Sequence, residues 1–222
     1  MAVFIDEAEA LRYMGYRAAP GARALAVLRA QIDEISPRLR SRAIYRVFET
    51  ERTEGGIALK GGGVLLKGQD IAALLEGCGR AALLAVTLGP EADAILRRAQ
   101  LEDLFTALAA DACLSAAVEW AADELEGEIR RELAPCPLTM RYSPGYGDLP
   151  LETQRELLDA LDAYRRIGLS LNGGLLMTPQ KSVSAVIGIG GGAKRDEPSG
   201  KCAGCAARDC AFRAMSKGGD GA

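Results

Sequence analysis

The segment Arg141-Tyr142-Ser143-Pro144-Gly145-Tyr146 contains the side chains with the clearest chemical use. Pro144 fixes one φ angle and Gly145 permits a positive φ, which predicts a tight turn that aims the flanking side chains in one direction. Arg141 offers a planar fork of donors to a carboxylate, and Tyr146 offers an aromatic face with a hydroxyl. Together they could hold a ligand that resembles an amino acid. The commoner interpretation of such residues is a loop without a ligand, in which the arginine lies on the surface and the tyrosine packs against the fold.

The carboxyl-terminal part of the chain has a second constellation, Cys202, Cys205 and Cys210, in the pattern Cys-x2-Cys-x4-Cys. A Cys-x2-Cys pair lets two thiolates reach one metal from a single turn, and the third cysteine would give three of the four ligands of a zinc or iron–sulfur site. Neighbouring basic residues favour thiolates, which suits metal binding and reactive thiols alike. A redox-active or regulatory thiol tail is therefore the alternative. The fourth ligand is open to Cys78, Cys113, Cys136, a bound ligand or a partner protein.

The stretch from Gly188 to Ala193 matches the dinucleotide pattern G-x-G-x-x-A after an apolar run. That fingerprint requires a helix directly afterwards, because the amino end of the helix receives the pyrophosphate. The residues that follow, AKRDEPSGKC, cannot supply such a helix. The glycines therefore indicate a hinge into the tail.

Composition limits the chemistry that is available. The 222 residues include 27 Lys+Arg, 30 Asp+Glu and no histidine. The lack of histidine excludes Ser-His-Asp triads, Cys-His pairs and histidine metal ligands. A net charge of −3 gives no broad field for phosphate backbones, so nucleic acid is not an expected partner. Neither a membrane span nor a signal peptide is visible, so we expect a cytoplasmic protein. The composition predicts one globular domain, residues 1–190, followed by a flexible Gly/Cys-rich tail, 191–222.

Hydrophobic spacing predicts the elements that position these side chains. Helices are expected over 21–36, in two or three stretches between 91 and 133, and over 152–164. Strands are expected at 43–48, 64–66, 81–88 and 182–189, with a hairpin at Asn172-Gly173-Gly174. Asp70 is expected to cap a short helix, and 138–150 to be mostly loop. This order predicts a single α+β domain.

Two apolar faces are expected in the helical block between 91 and 133. The first face comprises Leu101, Leu104, Phe105 and Leu108. The second comprises Leu114, Val118, Ala121, Leu125 and Ile129. Both faces have helical spacing, which is typical of residues that pack into a core.

Several segments resemble the activation domain of cobalamin-dependent methionine synthase. They are Arg141–Tyr146 with the helix that follows, Met177-Thr178-Pro179-Gln180-Lys181-Ser182-Val183-Ser184-Ala185, and Thr87-Leu88-Gly89 with its helical block. The start, Glu9-Ala10-Leu11-Arg12-Tyr13-Met14-Gly15-Tyr16, and the cysteine tail are similar to small stand-alone relatives of that domain. The resemblance covers about residues 5–190, and the combination of RxxPGY with a downstream Pro-x2-Ser-Val-Ser is specific. It implies a twisted antiparallel sheet flanked by helices.

The resemblance also implies a site for S-adenosylmethionine. Arg141 and Tyr146 correspond to binding residues of that family, the backbone of Ser143, Pro144 and Gly145 would contact the ligand, and Tyr142 lies within the same motif. Glu119 aligns with a family glutamate near the ligand. The alternative is that Glu119 is a solvated residue on the surface of a helix. No catalytic acid or base is implied, because the methyl group already sits on a sulfonium leaving group and the step needs mainly positioning.

The implied function is reactivation of a separate methionine synthase by reductive methylation, which would make the chain a component of a methyltransferase in methionine biosynthesis. The chain lacks the Asp-x-His-x2-Gly motif, so cobalamin would come only through a partner. An electron donor such as a flavodoxin or ferredoxin is implied, and the cysteine tail could receive the electron. The alternatives are an iron–sulfur or zinc protein on the same scaffold, serving electron transfer or another corrinoid protein, and a docking module without ligand binding.

Overall fold

A computed structural model describes residues 1–191 of the chain. The helices are α1 Glu7–Tyr13, α2 Ala22–Ile35, α3 Gln69–Leu74, α4 Pro90–Glu102, α5 Leu104–Glu132, α6 Thr153–Ala160 and α7 Ala163–Ile167, with a short 3-10 turn at Ser36–Arg38. The strands are β1 Arg42–Thr53, β2 Gly56–Leu59, β3 Val64–Leu66, β4 Arg80–Thr87, β5 Ser170–Leu171, β6 Met177–Thr178 and β7 Ser182–Ile189. The predicted tail falls almost entirely outside the described residues.

The main sheet has five strands in the order β3-β2-β1-β4-β7, and every neighbouring pair is antiparallel. β4 lies between β1 and β7 and is buried on both faces, which explains why its sequence is an unbroken apolar run rather than an alternating one. β5 and β6 form a separate small hairpin around Asn172. These features confirm the predicted α+β class and its antiparallel sheet flanked by helices.

The two faces of the sheet carry different helices, because successive strand residues point to opposite sides. Leu83 and Ala85 face a core that includes side chains of α3, α6 and α7. Leu84 and Val86 face the carboxyl-terminal half of α5. The amino-terminal half of α5 packs instead on α1, α2 and α4 in a third cluster. Helix α5 is therefore the element that joins the sheet to the helical block.

Helix α5 has 29 residues and begins at an aspartate cap. The Asp103 carboxylate accepts hydrogen bonds from the backbone N–H groups of Phe105 at 2.8 Å and Thr106 at 2.9 Å. By length and composition the helix could cross a membrane, but half of its most apolar stretch is buried against the rest of the protein. This pattern is typical of the core helix of a folded domain.

The segment from Pro137 to Tyr142 runs antiparallel to the outer edge of β7. Tyr142 and Val186 exchange backbone hydrogen bonds of 2.9 and 2.8 Å, and Gly190 donates to the carbonyl of Pro137 at 3.0 Å. The segment thereby covers the free edge of β7. The predicted loop 138–150 is confirmed as mostly loop, but its first residues are held as an extension of the sheet.

The structure corrects three sequence-based predictions. The prediction that the first apolar face of the helical block packs into a core is wrong, since Leu101 and Leu104 are each 88% exposed. The same prediction for the second face is confirmed, because its five residues are buried. The predicted helix 152–164 is two helices, because Asp162 adopts a left-handed φ of 51° between α6 and α7. Asp70 lies inside the first turn of α3 and does not cap it; the cap comes from another part of the chain.

We expect Asp103→Ala to lower the urea midpoint of unfolding, because two N–H groups of the first turn of α5 lose their acceptor. The hydrogen bond from the Thr106 hydroxyl, together with those from the two N–H groups, lowers the pKa of Asp103. Their contribution to stability is therefore complete above the ordinary aspartate pKa and is lost as the pH falls through the lowered value. Asp103→Asn retains an acceptor oxygen and serves as the matched control. Equal midpoints for the alanine variant and the unmodified protein would contradict this role.

Candidate functional site

The pairing of Tyr142 with Val186 decides where Arg141 points. Adjacent residues of an extended segment project to opposite faces. Tyr142 packs against the core on the α3 side of the sheet. Arg141 projects to the other side, where its guanidinium contacts α5. The edge pairing therefore delivers one side chain of the RxxPGY motif to each face.

Three carboxylates of α5 surround the guanidinium of Arg141, whose side chain is 9% exposed. Its Nη2 lies 2.6 Å from Asp123 Oδ1 and 3.2 Å from Glu119 Oε2. Its Nε lies 3.5 Å from Glu126 Oε2. We refer to these four residues as the Arg141 cluster. They carry three negative charges against one positive charge, although Arg130 also pairs with Glu126 at 3.1 Å.

One nitrogen of Arg141 has no partner among the described residues. Nη1 is buried and makes no hydrogen bond there. A buried charged donor without an acceptor is costly, and such groups in native proteins usually meet a ligand, an ion or ordered water. Because Nη1 and Nη2 form a fixed planar fork, a carboxylate that reached Nη1 would suit the donor chemistry of the cluster.

The residues after Arg141 form the predicted turn. The N–H of Tyr146 donates to the carbonyl of Ser143 at 3.1 Å, with Pro144 and Gly145 between them, and the φ of Gly145 is 87°. This arrangement has the sequence and the positive φ of a type II turn. We refer to residues 141–146 as the PGY loop.

The turn does not direct Arg141 and Tyr146 to one set of partners. The Tyr146 ring, 62% exposed, packs edge-on against Tyr142 with 6.3 Å between the ring centroids. Arg141, in contrast, contacts α5. The prediction that the turn aims both flanking side chains in one direction is therefore not supported by these contacts.

A polar clamp on α3 holds the far end of the PGY loop. The Asp148 carboxylate accepts from the backbone N–H groups of Gln69 at 2.5 Å and Asp70 at 3.1 Å, and so provides the cap that α3 lacks within its own sequence. The Tyr142 hydroxyl donates to Asp70 at 3.3 Å. Glycine suits position 147, because its φ is 51° and a Cβ there would force the Asp70 carboxylate and the Tyr142 hydroxyl to move.

The polar face of α5 continues toward its amino end. Lys181, just before β7, contacts Asp111 Oδ1 at 2.7 Å and Ser115 Oγ at 2.9 Å. Glu119 lies one turn after Ser115 in the chain. Burial and the negative charge of Glu119 raise the pKa of Tyr13 on α1. The Arg141 cluster therefore lies in a polar strip between α1, α5 and the outer edge of the sheet.

Sequence reasoning identified Arg141 and Glu119, and the structure places them in contact. It missed Asp123 and Glu126, although both lie on the same helical face as Glu119, at four and seven residues beyond it. It also missed Asp148, and no local pattern could have found it because its partners are far away in sequence.

The predicted metal ligands Cys202, Cys205 and Cys210 lie outside the described residues. Within residues 1–191 no three His, Cys, Asp or Glu side chains are arranged so that they could hold a metal ion. Cys78 and Cys113 are buried, and Cys136 is partly exposed.

No protein-family model and no curated protein matches the chain. Among solved structures, a crystal structure of the MetH reactivation domain bound to AdoHcy is similar to it, with a TM-score of 0.60 and 17% sequence identity. The similarity covers 79% of this chain and 71% of that chain. The chain therefore has the fold of a methionine synthase reactivation domain, as the sequence resemblance implied.

We expect Asp148→Ala to speed hydrogen exchange at the amides of Gln69 and Asp70, because both lose their acceptor. Asp148→Asn retains one acceptor oxygen and should show an intermediate effect. Amide exchange measured by NMR, with the α5 amides as an internal reference, tests the clamp. Unchanged exchange at both amides would show that Asp148 does not hold α3.

Burial and the neighbouring Asp70 carboxylate raise the pKa of Tyr142 to about 12 from its ordinary value of 10.0. The folded state therefore favours the protonated phenol, and its contribution to stability is complete below the ordinary pKa and lost as pH rises toward the raised value. The free energy of unfolding should fall less steeply over this interval in Tyr142→Phe. Tyr164→Phe, at an exposed ring, is the control; parallel profiles for all three proteins would contradict the assignment.

Proposed function

We propose that this chain binds S-adenosylmethionine at the Arg141 cluster and the PGY loop. We further propose that it acts as an activation subunit for a separate cobalamin-dependent methionine synthase. The observation that carries the proposal is the buried guanidinium of Arg141 with its unpartnered Nη1. The similarity to a reactivation domain whose structure holds AdoHcy supports the ligand class.

The charges of the cluster suit this ligand. S-adenosylmethionine carries a carboxylate, an ammonium group and a sulfonium group. Nη1 of Arg141 would take the carboxylate in a charge-assisted hydrogen bond. Glu119 and Asp123 would then face the cationic groups, and both side chains are open enough to solvent to be reached, with 34% and 51% exposure.

In the proposed reaction, the task of this chain is to position the ligand. Arg141, Glu119 and Asp123 would hold S-adenosylmethionine so that its sulfonium methyl group faces the partner. The partner's cobalamin, once reduced by one electron from an external donor, would supply the electron pair that takes the methyl group, and S-adenosylhomocysteine would leave with the electron pair of the broken carbon–sulfur bond. Cleavage of the carbon–sulfur bond needs no proton transfer, because the sulfonium leaves as a neutral thioether. A chain without histidine can therefore support the step.

The rest of the PGY loop has two proposed tasks. The backbone of Ser143, Pro144 and Gly145 contacts the ligand, and the exposed ring of Tyr146 borders the path of the methyl group. Because the cobalamin belongs to a partner, the site must open to the surface, and Tyr146 meets that requirement. A flavodoxin or ferredoxin as electron donor and a cytoplasmic location complete the proposal.

We expect Arg141→Ala to weaken S-adenosylmethionine binding about 10- to 100-fold, because hydrogen bonds between charged groups are worth about 1.5–3 kcal/mol. Arg141→Lys keeps the charge but loses the planar fork, so its loss should be smaller. Titration calorimetry of the full chain measures both.

Arg38→Ala is the matched control, because Arg38 also bridges two carboxylates, Glu34 and Glu91, on a different surface. Urea unfolding of each variant separates lost binding from lost folding. Unchanged affinity in a folded Arg141→Ala protein would refute the assignment of Arg141. Absence of binding by the unmodified chain, both alone and with a cobalamin-bearing methionine synthase, would refute the proposed function.

A further inference from the structure

The carboxylates around Arg141 outnumber the cations that pair with them. Glu119, Asp123 and Glu126 face the guanidinium of Arg141, and Glu126 also pairs with Arg130 at 3.1 Å. Three negative charges therefore stand against two positive charges. At neutral pH the group has an excess of one negative charge, next to a buried guanidinium nitrogen, Nη1, that has no hydrogen-bond partner among residues 1–191.

Two further cations close to this face of α5 are matched by acids of their own. Lys181 reaches the helix one to two turns before the Arg141 cluster, but it pairs with Asp111 at 2.7 Å. Arg12 lies on α1, which packs on α5, and it pairs with Glu9 at 2.7 Å. The excess negative charge of the cluster therefore persists when these neighbouring ion pairs are included.

The three carboxylates differ in how open they are to solvent. Asp123 is the most exposed, Glu119 is more enclosed, and Glu126 is the least exposed. In the proposed reaction the methyl group must reach a cobalamin held by another protein, so the sulfonium must lie at the open side of the site. Asp123 is the carboxylate best placed to face the sulfonium there. Glu119 then faces the ammonium group.

We infer that Asp123 makes this site select the sulfonium ligand over the neutral product. The inference rests on the proposed function and names the residue that governs release of product from the same site. When the methyl group leaves, the sulfur keeps the electron pair of the broken bond, and the ligand changes from a net cation to a molecule without net charge. S-adenosylmethionine offsets the excess negative charge of the cluster, and S-adenosylhomocysteine does not. The weaker hold on the product frees the site for the next methyl donor.

The two ligands have the same carboxylate, ammonium group and nucleoside, so the ratio of their affinities isolates the contribution of the sulfonium charge. Calorimetric titration of the full chain with each ligand measures this ratio. We expect the unmodified chain to bind S-adenosylmethionine more tightly, and Asp123→Asn to reduce that preference about threefold to tenfold. Any change in the contacts of Arg141 affects both ligands alike and cancels. Glu119→Gln should weaken both ligands and change the ratio less.

Glu91→Gln is the matched control for the loss of one carboxylate charge. Glu91 contacts Arg38 at 2.6 Å, the same distance as between Asp123 and Arg141, and its side chain is exposed to a similar extent. This variant should keep the affinity ratio of the unmodified chain. Raising the salt concentration from about 0.05 M to about 0.5 M should lower the preference of the unmodified chain, because a half-exposed charge is screened. This measurement does not depend on the folding of any variant.

Two outcomes would overturn the inference and leave the proposed function standing. They are equal affinities of the unmodified chain for the two ligands, and an unchanged ratio in an Asp123→Asn protein that urea unfolding shows to be folded. Absence of S-adenosylmethionine binding by the unmodified chain, both alone and with a cobalamin-bearing methionine synthase, would overturn the inference and the proposed function together.

Discussion

The burial of Arg141 constrains much of the structure around it. A guanidinium withdrawn from water needs compensating charge, and α5 supplies three carboxylates from a single face. That requirement ties the outer edge of the sheet to the longest helix at the point where the helix changes partner, from the helical block to the sheet. Among residues 1–191, Nη1 of Arg141 has no hydrogen-bond partner, and this leaves one buried donor for a ligand.

Short-range geometry at the sheet edge divides the RxxPGY motif between two tasks. Because Tyr142 pairs with Val186, Tyr142 and Arg141 point to opposite faces. Tyr142 joins Asp70 and Asp148 in a clamp that secures the loop, and Arg141 is free to meet α5. Gly147 lets the clamp close, since a side chain there would displace the carboxylate and the phenol from their present positions. Structural support and the proposed ligand contact thus come from adjacent residues.

The same edge of the sheet connects the candidate ligand site with Cys136. The segment from Pro137 to Tyr142 pairs with β7 and leads directly into the PGY loop.

By itself the sequence determined the α+β class, most strand and helix positions and the presence of a tight turn in the PGY loop. These properties depend on local periodicity and on the backbone limits of proline and glycine, which act over a few residues. Tertiary structure decided that Leu101 and Leu104 are exposed, that Asp148 rather than Asp70 caps α3, and that Asp123 and Glu126 join Glu119 around Arg141. Helical spacing shows which residues share a face, but only packing between distant segments determines whether that face meets a core, a charge or solvent.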